Sequence, residues 1–363
     1  MRTSRPTART AAVLLATALV LPLAACGDSS AQEPTASATS AAPVPSATET
    51  QQAPGAPEDV AKAALAWLAA TELTDGLFVT EFDGTAYPDQ GLTLDVLVAA
   101  LAAGDDALAQ KLAGAFTADV VDAYAGDGTT TGYAGSTAKG AVVLGAAGSD
   151  LATVLDERLA TYVTESGRIS DLGADDYSST VSQAWGVLAL ARPVAVANDG
   201  GAERLTRATS YLASQQCDDG SFPAVLDAEE CVGDVDSTAF ALSALTGYTR
   251  SGATDLDEAV TTSAASWLAA AATEVDGGRA WVTGEPAAAN TNSAGVALVA
   301  LTDAASTDPV IGEARAWLAS QNVPAGDGLA ITFDGTAPDA RASAQAVPAL
   351  LGSGLFDLVG AEG

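Results

Sequence analysis

The chain of 363 residues contains no histidine. Without an imidazole, a Ser-His or Cys-His catalytic arrangement cannot form, and zinc sites that depend on histidine are excluded as well. Lysine and arginine are also scarce, at 15 residues against 46 aspartates and glutamates, so that the formal net charge is -31. Nucleic acids and anionic lipid headgroups need a basic surface. We therefore expect no nucleic acid as a partner. We also expect no histidine-dependent metal centre and no cofactor.

The first 25 residues have the pattern of an export signal. Arg2, Arg5 and Arg9 precede a short apolar run from Ala11 to Leu21, which is too short to span a bilayer. The following Leu-Ala-Ala-Cys sequence ends at Cys26 and resembles a lipobox. It predicts cleavage before Cys26 and a diacylglyceryl group on its thiol, whose two acyl chains suffice for stable membrane anchoring. The alternative is an ordinary secretory signal.

Residues 26–57 are rich in Ser, Thr, Ala and Pro and contain few large apolar residues. Such a composition cannot bury enough apolar surface to fold, so it predicts a flexible stalk. Residues 58–358 then form one domain, held at the outer face of the cell membrane. Removal of residues 1–25, with three arginines and no acidic residue, changes the formal charge to -34.

Two cysteines remain in the exported domain, Cys217 and Cys231. An oxidising exterior favours a disulfide between them. Closing a loop of about 15 residues stabilises a fold by roughly 3 kcal/mol in the chain-entropy model. A metal pair is the alternative, although zinc commonly needs four nitrogen or sulfur ligands.

The domain is built from six copies of one unit. Each copy begins with a helix that carries an aromatic-Leu pair or a substitute for it, then a Gly- and Asp-rich turn, then a second helix of small and aliphatic residues. The first helices are centred on Trp67, Leu112, Leu159, Tyr211, Trp267 and Trp317.

The two classes of helix predict how the units assemble. The first helices carry charges and have one apolar face, whereas the second carry almost none and are suited to burial on nearly all sides. We therefore predict an all-α fold, an (α/α)6 toroid of six helical hairpins. Small residues such as Ala239, Gly295 and Ala344 would let the inner helices approach closely. An open solenoid is the alternative.

The first and last units share a turn sequence. Residues Phe82–Asp89 spell FDGTAYPD, and residues Phe333–Asp339 spell FDGTAPD. In a closed ring these two turns would be neighbours.

The fourth unit carries a resemblance to a known family. Its segment Arg207–Phe222, RATSYLASQQCDDGSF, is similar to the repeat of squalene cyclases and prenyltransferases. In that repeat a basic residue, an aromatic-Leu pair, a Gln and a Gly-x-aromatic sequence tie the outer helix to its loop. The resemblance extends over residues 58–358 and implies a terpenoid cyclase-like toroid.

The same unit contains the sequence Asp-Val-Asp-Ser-Thr-Ala from Asp234 to Ala239. It looks like the Asp-Val-Asp-Asp-Thr-Ala motif of squalene-hopene cyclases, in which the central aspartate protonates an alkene. By this resemblance Asp236 would be the general acid, and Asp234 would hold its proton by like-charge proximity. The chain departs from the motif at Ser237. The alternative is helix capping, with Asp236 or Ser237 accepting a backbone N–H and Asp234 favoured by the helix dipole.

These patterns favour a non-catalytic surface module that binds a small molecule, a glycan or a protein near its acidic turns. A terpenoid cyclase-like enzyme is the alternative, although the inner helices offer only Trp185 and Phe240 to steady a carbocation. Clustered acids in the fourth unit also suggest Ca²⁺ as a partner. The Gly-rich run Gly126–Gly140 lacks the spacing of a phosphate loop, and we expect Ser136 or Thr137 to cap the next helix.

Overall fold

A computed structural model describes residues 55–253, 255–284 and 287–359. The predicted signal peptide, the lipid site at Cys26 and nearly all of the predicted stalk lie outside these residues, and those assignments stay predictions. Within them the first helix begins at Pro57, where a proline is tolerated because the first-turn N–H has no partner inside the helix. No helix among the described residues combines the length and apolar character needed to cross a bilayer.

The described residues form fifteen helices and eight short strands, numbered along the chain. The helices are α1 (Pro57–Ala70), α2 (Gln90–Ala103), α3 (Asp106–Ala113), α4 (Ala118–Ala125), α5 (Ala134–Ala146), α6 (Leu151–Tyr162), α7 (Thr180–Leu190), α8 (Pro193–Ala197), α9 (Gly201–Ser214), α10 (Val235–Arg250), α11 (Glu258–Ala271), α12 (Thr291–Asp303), α13 (Val310–Ser320), α14 (Ala340–Leu351) and α15 (Leu355–Val359). The strands are β1 (Val79–Phe82), β2 (Thr85–Pro88), β3 (Thr273–Val275), β4 (Gly278–Ala280), β5 (Val282–Thr283), β6 (Ala288–Ala289), β7 (Asn322–Ala325) and β8 (Gly328–Ile331). The strands pair in sequence as four antiparallel hairpins.

Six helices form a closed inner ring. Helices α2, α5, α7, α10, α12 and α14 each pack against the next, and α14 packs against α2. The predicted (α/α)6 toroid is therefore confirmed. Gly295 shows why small residues are needed here, because a Cβ atom at that position would lie 2.7 Å from the backbone oxygen of Gln345.

The outer helices bury one face each against this ring. In α9, for example, Leu205, Ala208 and Leu212 are buried, at the spacing of one helical face. Two units have an additional helix, since the short helices α3 and α4 precede the inner helix of the second unit, and the five-residue helix α8 precedes α9 in the fourth.

Each inner helix begins at the same face of the ring. We call this the turn face, and it consists of the segments 71–89, 126–133, 163–179, 215–234, 272–284 with 287–290, and 321–339. A repeated pair of hydrogen bonds fixes these loops to the helices. In the fourth unit the N–H of Phe222 donates to Thr238 Oγ1 at 2.9 Å, and the N–H of Asp234 donates to the carbonyl oxygen of Phe222.

The same pair of hydrogen bonds, which we call the loop lock, recurs in other units with a threonine or a serine as the acceptor. The N–H of Phe78 donates to Thr93 Oγ1 at 3.0 Å, and that of Ile331 donates to Ser343 Oγ at 2.9 Å. The predicted tie through glutamine is also present, since Gln216 Nε2 donates to the carbonyl oxygens of Gly220 and Val260.

The two ends of the domain meet through an ion-pair network. Arg341, two residues after the shared turn of the last unit, bonds to Asp89 at 2.8 Å and to Asp95 at 2.6 Å. Asp89 ends the shared turn of the first unit and caps α2. The two turns are neighbours, as their common sequence predicted.

Two local predictions had opposite outcomes. Cys217 and Cys231 form the expected disulfide, with Cα atoms 5.6 Å apart. The predicted cap of α5 was wrong, because this helix begins at Ala134, before Ser136 and Thr137. The first N–H of the helix is satisfied across the fold instead, by Asp171 Oδ1 at 2.6 Å.

Helix α15 closes the end of the ring opposite the turn face. It contacts α10, α12, α5 and α2. Asp303, at the end of α12, accepts the backbone N–H groups of Leu355 and Phe356 at 3.1 Å each. Burial raises the pKa of Asp303 to about 6.

Candidate functional site

The acidic motif of the fourth unit lies at the start of α10. Asp234 is the N-cap, and its Oδ1 accepts the N–H of Ser237 at 2.8 Å. The motif therefore caps the helix, as the alternative predicted. The capping residue is Asp234, however, and not Asp236 or Ser237. With Thr238 occupied in the loop lock, two residues of the motif have clear structural roles.

Asp236 has no comparable structural role. Its side chain is partly buried, and Oδ1 is a buried oxygen without a hydrogen-bond partner among the described residues. Burial raises the pKa of Asp236, and the charge of Asp234 raises it further, while a hydrogen bond from Ser293 opposes the change. A carboxyl group in this setting retains its proton more readily than a solvated one.

The inner helices present equivalent residues toward the axis of the ring. The sixth residue after each N-cap forms one layer, and five of these six side chains line the central cavity. The layer consists of Asp95, Lys139, Trp185, Phe240, Val296 and Gln345. Asp236 is one turn above Phe240, at the second residue after the cap. Asn292 is its equivalent on α12, and its Oδ1 also has no partner among the described residues.

The centre of the ring is nearly filled. Trp185 and Phe240 pack against each other with ring centroids 5.6 Å apart, and Leu355 of α15 lies below them in the cavity wall. The cavity that remains has a volume of about 50 Å³. Sites for drug-sized molecules occupy roughly 300–1,000 Å³, so this cavity holds no more than a few water molecules.

One side of the axis is charged. Lys139 of α5 forms an ion pair with Asp95 at 2.5 Å, and Asp95 also pairs with Arg341. Burial opposes the charge on Lys139, but the adjacent Asp95 carboxylate prevails and raises the pKa of Lys139. The predicted cap at Ser136 or Thr137 would put this lysine in the first turn of the helix, and only the observed register of α5 identifies it as an axial residue.

The turn face carries most of the exposed apolar side chains. Nine large apolar residues are exposed among those that the structure describes, and seven of them belong to turn-face loops. These seven are Phe82, Tyr87, Tyr133, Tyr177, Val225, Val232 and Phe333. They are distributed over five of the six turn-face loops.

The acidic turns do not build a metal site within the described residues. No group of three or more carboxylate or cysteine side chains there could hold a metal ion. The carboxylates of the fourth unit have other partners, since Asp219 accepts the hydroxyl of Ser221, and Asp227 accepts the hydroxyl of Tyr211 and pairs with Arg168.

Comparison with solved structures identifies the fold. The type II terpene cyclase MstE from Scytonema, in complex with geranylgeranyl dihydroxybenzoate, aligns with a TM-score of 0.58 and 17% identity over 83% of this chain and 98% of that one. This chain has the fold of a terpene cyclase toroid. The unsaturated glucuronyl hydrolase from Bacillus sp. GL1 aligns with a TM-score of 0.59 and 13% identity, over 81% of this chain and 96% of that chain.

A protein from Actinoplanes also shares the fold, with a TM-score of 0.52 and 18% identity over 81% of this chain and 98% of that chain. No family model and no curated protein matches the sequence. The resemblance predicted from the repeat motif is therefore confirmed for the fold. At these identities it carries no activity with it.

Proposed function

We propose that this protein is a binding module, held at the outer face of the cell membrane by the lipid on Cys26, that engages its partner through the turn face. The observation that carries this proposal is the filled centre, with its cavity of about 50 Å³. The cyclase MstE was solved with a geranylgeranyl compound. A cavity of about 50 Å³ is too small for an equivalent chain.

The turn face supports the second half of the proposal. Tyr177 is 74% exposed and Phe82 is 69% exposed, and aromatic side chains supply much of the binding energy at protein and glycan contacts. The chain has a formal charge of -31, so a strongly anionic partner would be repelled. A small molecule, a glycan or a protein without a large negative charge fits this face.

Photo-cross-linking in intact cells tests the turn face. A photoreactive phenylalanine analogue replaces Tyr177 in one variant and Val154, which is 40% exposed on α6, in the control. We expect a discrete adduct from position 177 and none from 154. Equal labelling at both positions, or none at 177, would contradict the proposal.

Metabolic labelling with a radioactive fatty acid tests the anchor. We expect label in the wild-type protein and none after Cys26→Ser, with the variant released into the medium. Label that persists in the variant would refute lipidation at this residue, whatever the outcome of cross-linking.

A cyclase-like activity is the second candidate, and the orphaned Oδ1 of Asp236 favours it. A carboxyl group whose pKa is raised by burial, one turn above Phe240, has the chemistry of a general acid next to aromatic side chains. Incubation with squalene and with geranylgeranyl compounds tests it by mass spectrometry of the products. A cyclised product that disappears in Asp236→Asn would establish this candidate and overturn the first.

A further inference from the structure

Helix α15 follows the ring without being part of it. The inner ring is already closed by the packing of α14 against α2, and α15 lies across the end of the ring opposite the turn face. A short linker, Gly352-Ser353-Gly354, joins it to α14. We propose that α15 is a releasable plug of the central cavity, and that its release opens the cavity to solvent while the ring stays folded.

Two side chains of α15 fit into the end of the ring. Leu355 is 6% exposed and forms part of the cavity wall. The ring of Phe356 lies against Gly247 of α10, where an added Cβ atom would come within 2.6 Å of the aromatic ring. Glycine inside a helix is destabilising relative to alanine, so the space that Phe356 needs explains why α10 has a glycine at this position.

Asp303 holds the start of the plug. Its carboxylate accepts the N–H groups of Leu355 and Phe356 at 3.1 Å each. The linker also passes close to it, because a Cβ atom at Gly354 would collide with Asp303 Oδ1. The linker and the first turn of α15 therefore cover this carboxyl group, and release of the plug would return it to water.

The other contacts of the plug are suited to opening. Gly352 has a φ of 71°, in the left-handed region, and segments of glycine and serine are flexible. Arg250 of α10 pairs with Asp357 at 3.1 Å and lies 5.0 Å above the ring of Phe356. Both partners of this ion pair are about half exposed, and exposed pairs stabilise a structure only weakly.

The charge of Asp303 opposes closure. Burial raises the pKa of Asp303 to about 6, and the charge of Asp357 adds to this, while hydrogen bonds lower it. Arg250 is paired with Asp357, and Arg315 of α13, beside the linker, donates to the backbone of α14. The remaining charged residues of the helices that α15 contacts lie nearer the turn face, and they are Asp95, Lys139 and Asp236.

This pKa gives the direction of the opening. The closed state binds the proton of Asp303 more tightly than the open state, in which the carboxyl group is solvated. Closure is therefore most favourable below about pH 4 and becomes less so as pH rises through about 6. The open fraction should increase over that range.

Cysteine labelling of the cavity wall tests the plug in the full-length protein. Val299 lines the cavity and is 9% exposed, so Val299→Cys reports access to it. Val154→Cys, at a site 40% exposed on α6, gives the rate for a surface thiol at each pH. The label is dithiodipyridine, read by mass spectrometry of the modified peptide. We expect the ratio of the two rates to rise about tenfold or more between about pH 4.5 and 7.5.

Three further variants, each combined with Val299→Cys, identify the cause. Asp303→Asn cannot ionise, so the ratio should stay low at every pH. Gly247→Ala puts a methyl group where Phe356 packs and should raise the ratio at every pH, although alanine favours α10 itself. A chain that ends at Gly352 should show the fully open rate. Ala64→Cys, at a fully buried site on α1, is the control for unfolding and should stay unlabelled.

Any of three results would overturn the proposal. The first is a ratio that does not change with pH, and the second is an equal ratio in Gly247→Ala and in the parent protein. The third is labelling of Ala64→Cys in parallel with Val299→Cys, because the whole ring would then be unfolding. The plug lies at the far end of the ring from the turn face, so its failure leaves the cross-linking test of the proposed function unaffected.

Discussion

The buried carboxyl group of Asp303 makes the stability of the fold depend on pH in an unusual direction. Asp303 is 2% exposed and lies where α12 meets α15. Burial raises its pKa from 3.8 to about 6, the charge of Asp357 adds to this, and hydrogen bonds from Ser243, Phe356 and Leu355 oppose it. The folded protein therefore binds this proton more tightly than the unfolded chain does.

The size of the effect follows from the two pKa values. A change from 3.8 to about 6 corresponds to roughly 3 kcal/mol at about 1.4 kcal/mol per pH unit. Between these values the folded state holds more protons than the unfolded state, so stability falls as pH rises. The contribution of Asp303 is complete below about pH 4 and is lost as pH rises through about 6.

Asp303→Asn isolates this contribution. The amide keeps the shape of the side chain and an oxygen that can accept the N–H groups of Leu355 and Phe356, but it cannot ionise. We expect the variant and the wild type to have similar free energies of unfolding near pH 4. By about pH 7 the variant should be more stable by up to roughly 3 kcal/mol.

Urea unfolding followed by tryptophan fluorescence, at a series of pH values from about 4 to 7, measures this difference. Asp122→Asn is the control, because Asp122 pairs with Arg158 with 43% of its side chain exposed, and it is not among the groups that shift the pKa of Asp303. Such a pair contributes at most about 1 kcal/mol. The reasoning is refuted if the difference in the free energy of unfolding between Asp303→Asn and wild type does not change with pH. The three hydrogen bonds would then stabilise the charged carboxylate enough to offset its burial.

Three further predictions concern packing and cross-links, each measured by urea unfolding. Arg192→Met should lower the free energy of unfolding by about 3–5 kcal/mol, because Arg192 and Asp156 form a buried ion pair at 2.7 Å. Adding Asp156→Leu should recover most of this loss. A double variant that is no more stable than the single one would contradict this reasoning. Gly295→Ala should destabilise the fold by about 1–3 kcal/mol, because the added methyl group overpacks against the backbone of α14. An unchanged urea midpoint would show that α12 and α14 can move apart to accommodate it. Replacing Cys217 and Cys231 by serine should cost about 2–4 kcal/mol, and equal stability of the reduced and oxidised wild type would contradict the entropic argument.

The architecture could be predicted from the sequence because it depends on features that repeat along the chain. Six helices with one apolar face alternate with six that carry few charges, and this sorting indicates which helices form the inner ring. The shared turns of the first and last units further predicted the contact that Arg341 and Asp89 make. Both signals repeat along the chain, so one irregular unit does not obscure them.

The axial site could not be predicted to the same extent. Whether Lys139 faces the axis depends on where α5 begins, and the first N–H of that helix is bonded by Asp171 from 37 residues away. The volume of the centre depends on how Trp185 and Phe240 pack and on α15, whose five residues resemble no repeat unit. These are long-range contacts, and no local pattern encodes them.

The register of the inner helices explains why the acidic motif is ambiguous. The N-cap holds the start of each helix, and the fourth position beyond it carries the loop lock in units such as the fourth, where Asp234 and Thr238 take these roles. The second position beyond the cap has no role common to all units, and the six inner helices place Gly, Gly, Val, Asp, Asn and Arg there. In the last unit Arg341 at this position pairs with Asp89 and Asp95, whereas the fourth unit gives Asp236 no such partner for its Oδ1. The fold therefore accounts for Asp234 and Thr238 but not for the buried carboxyl group of Asp236. Asp236→Asn leaves the cap at Asp234 and the loop hydrogen bond at Thr238 in place, so it is the variant that distinguishes a binding module from an enzyme.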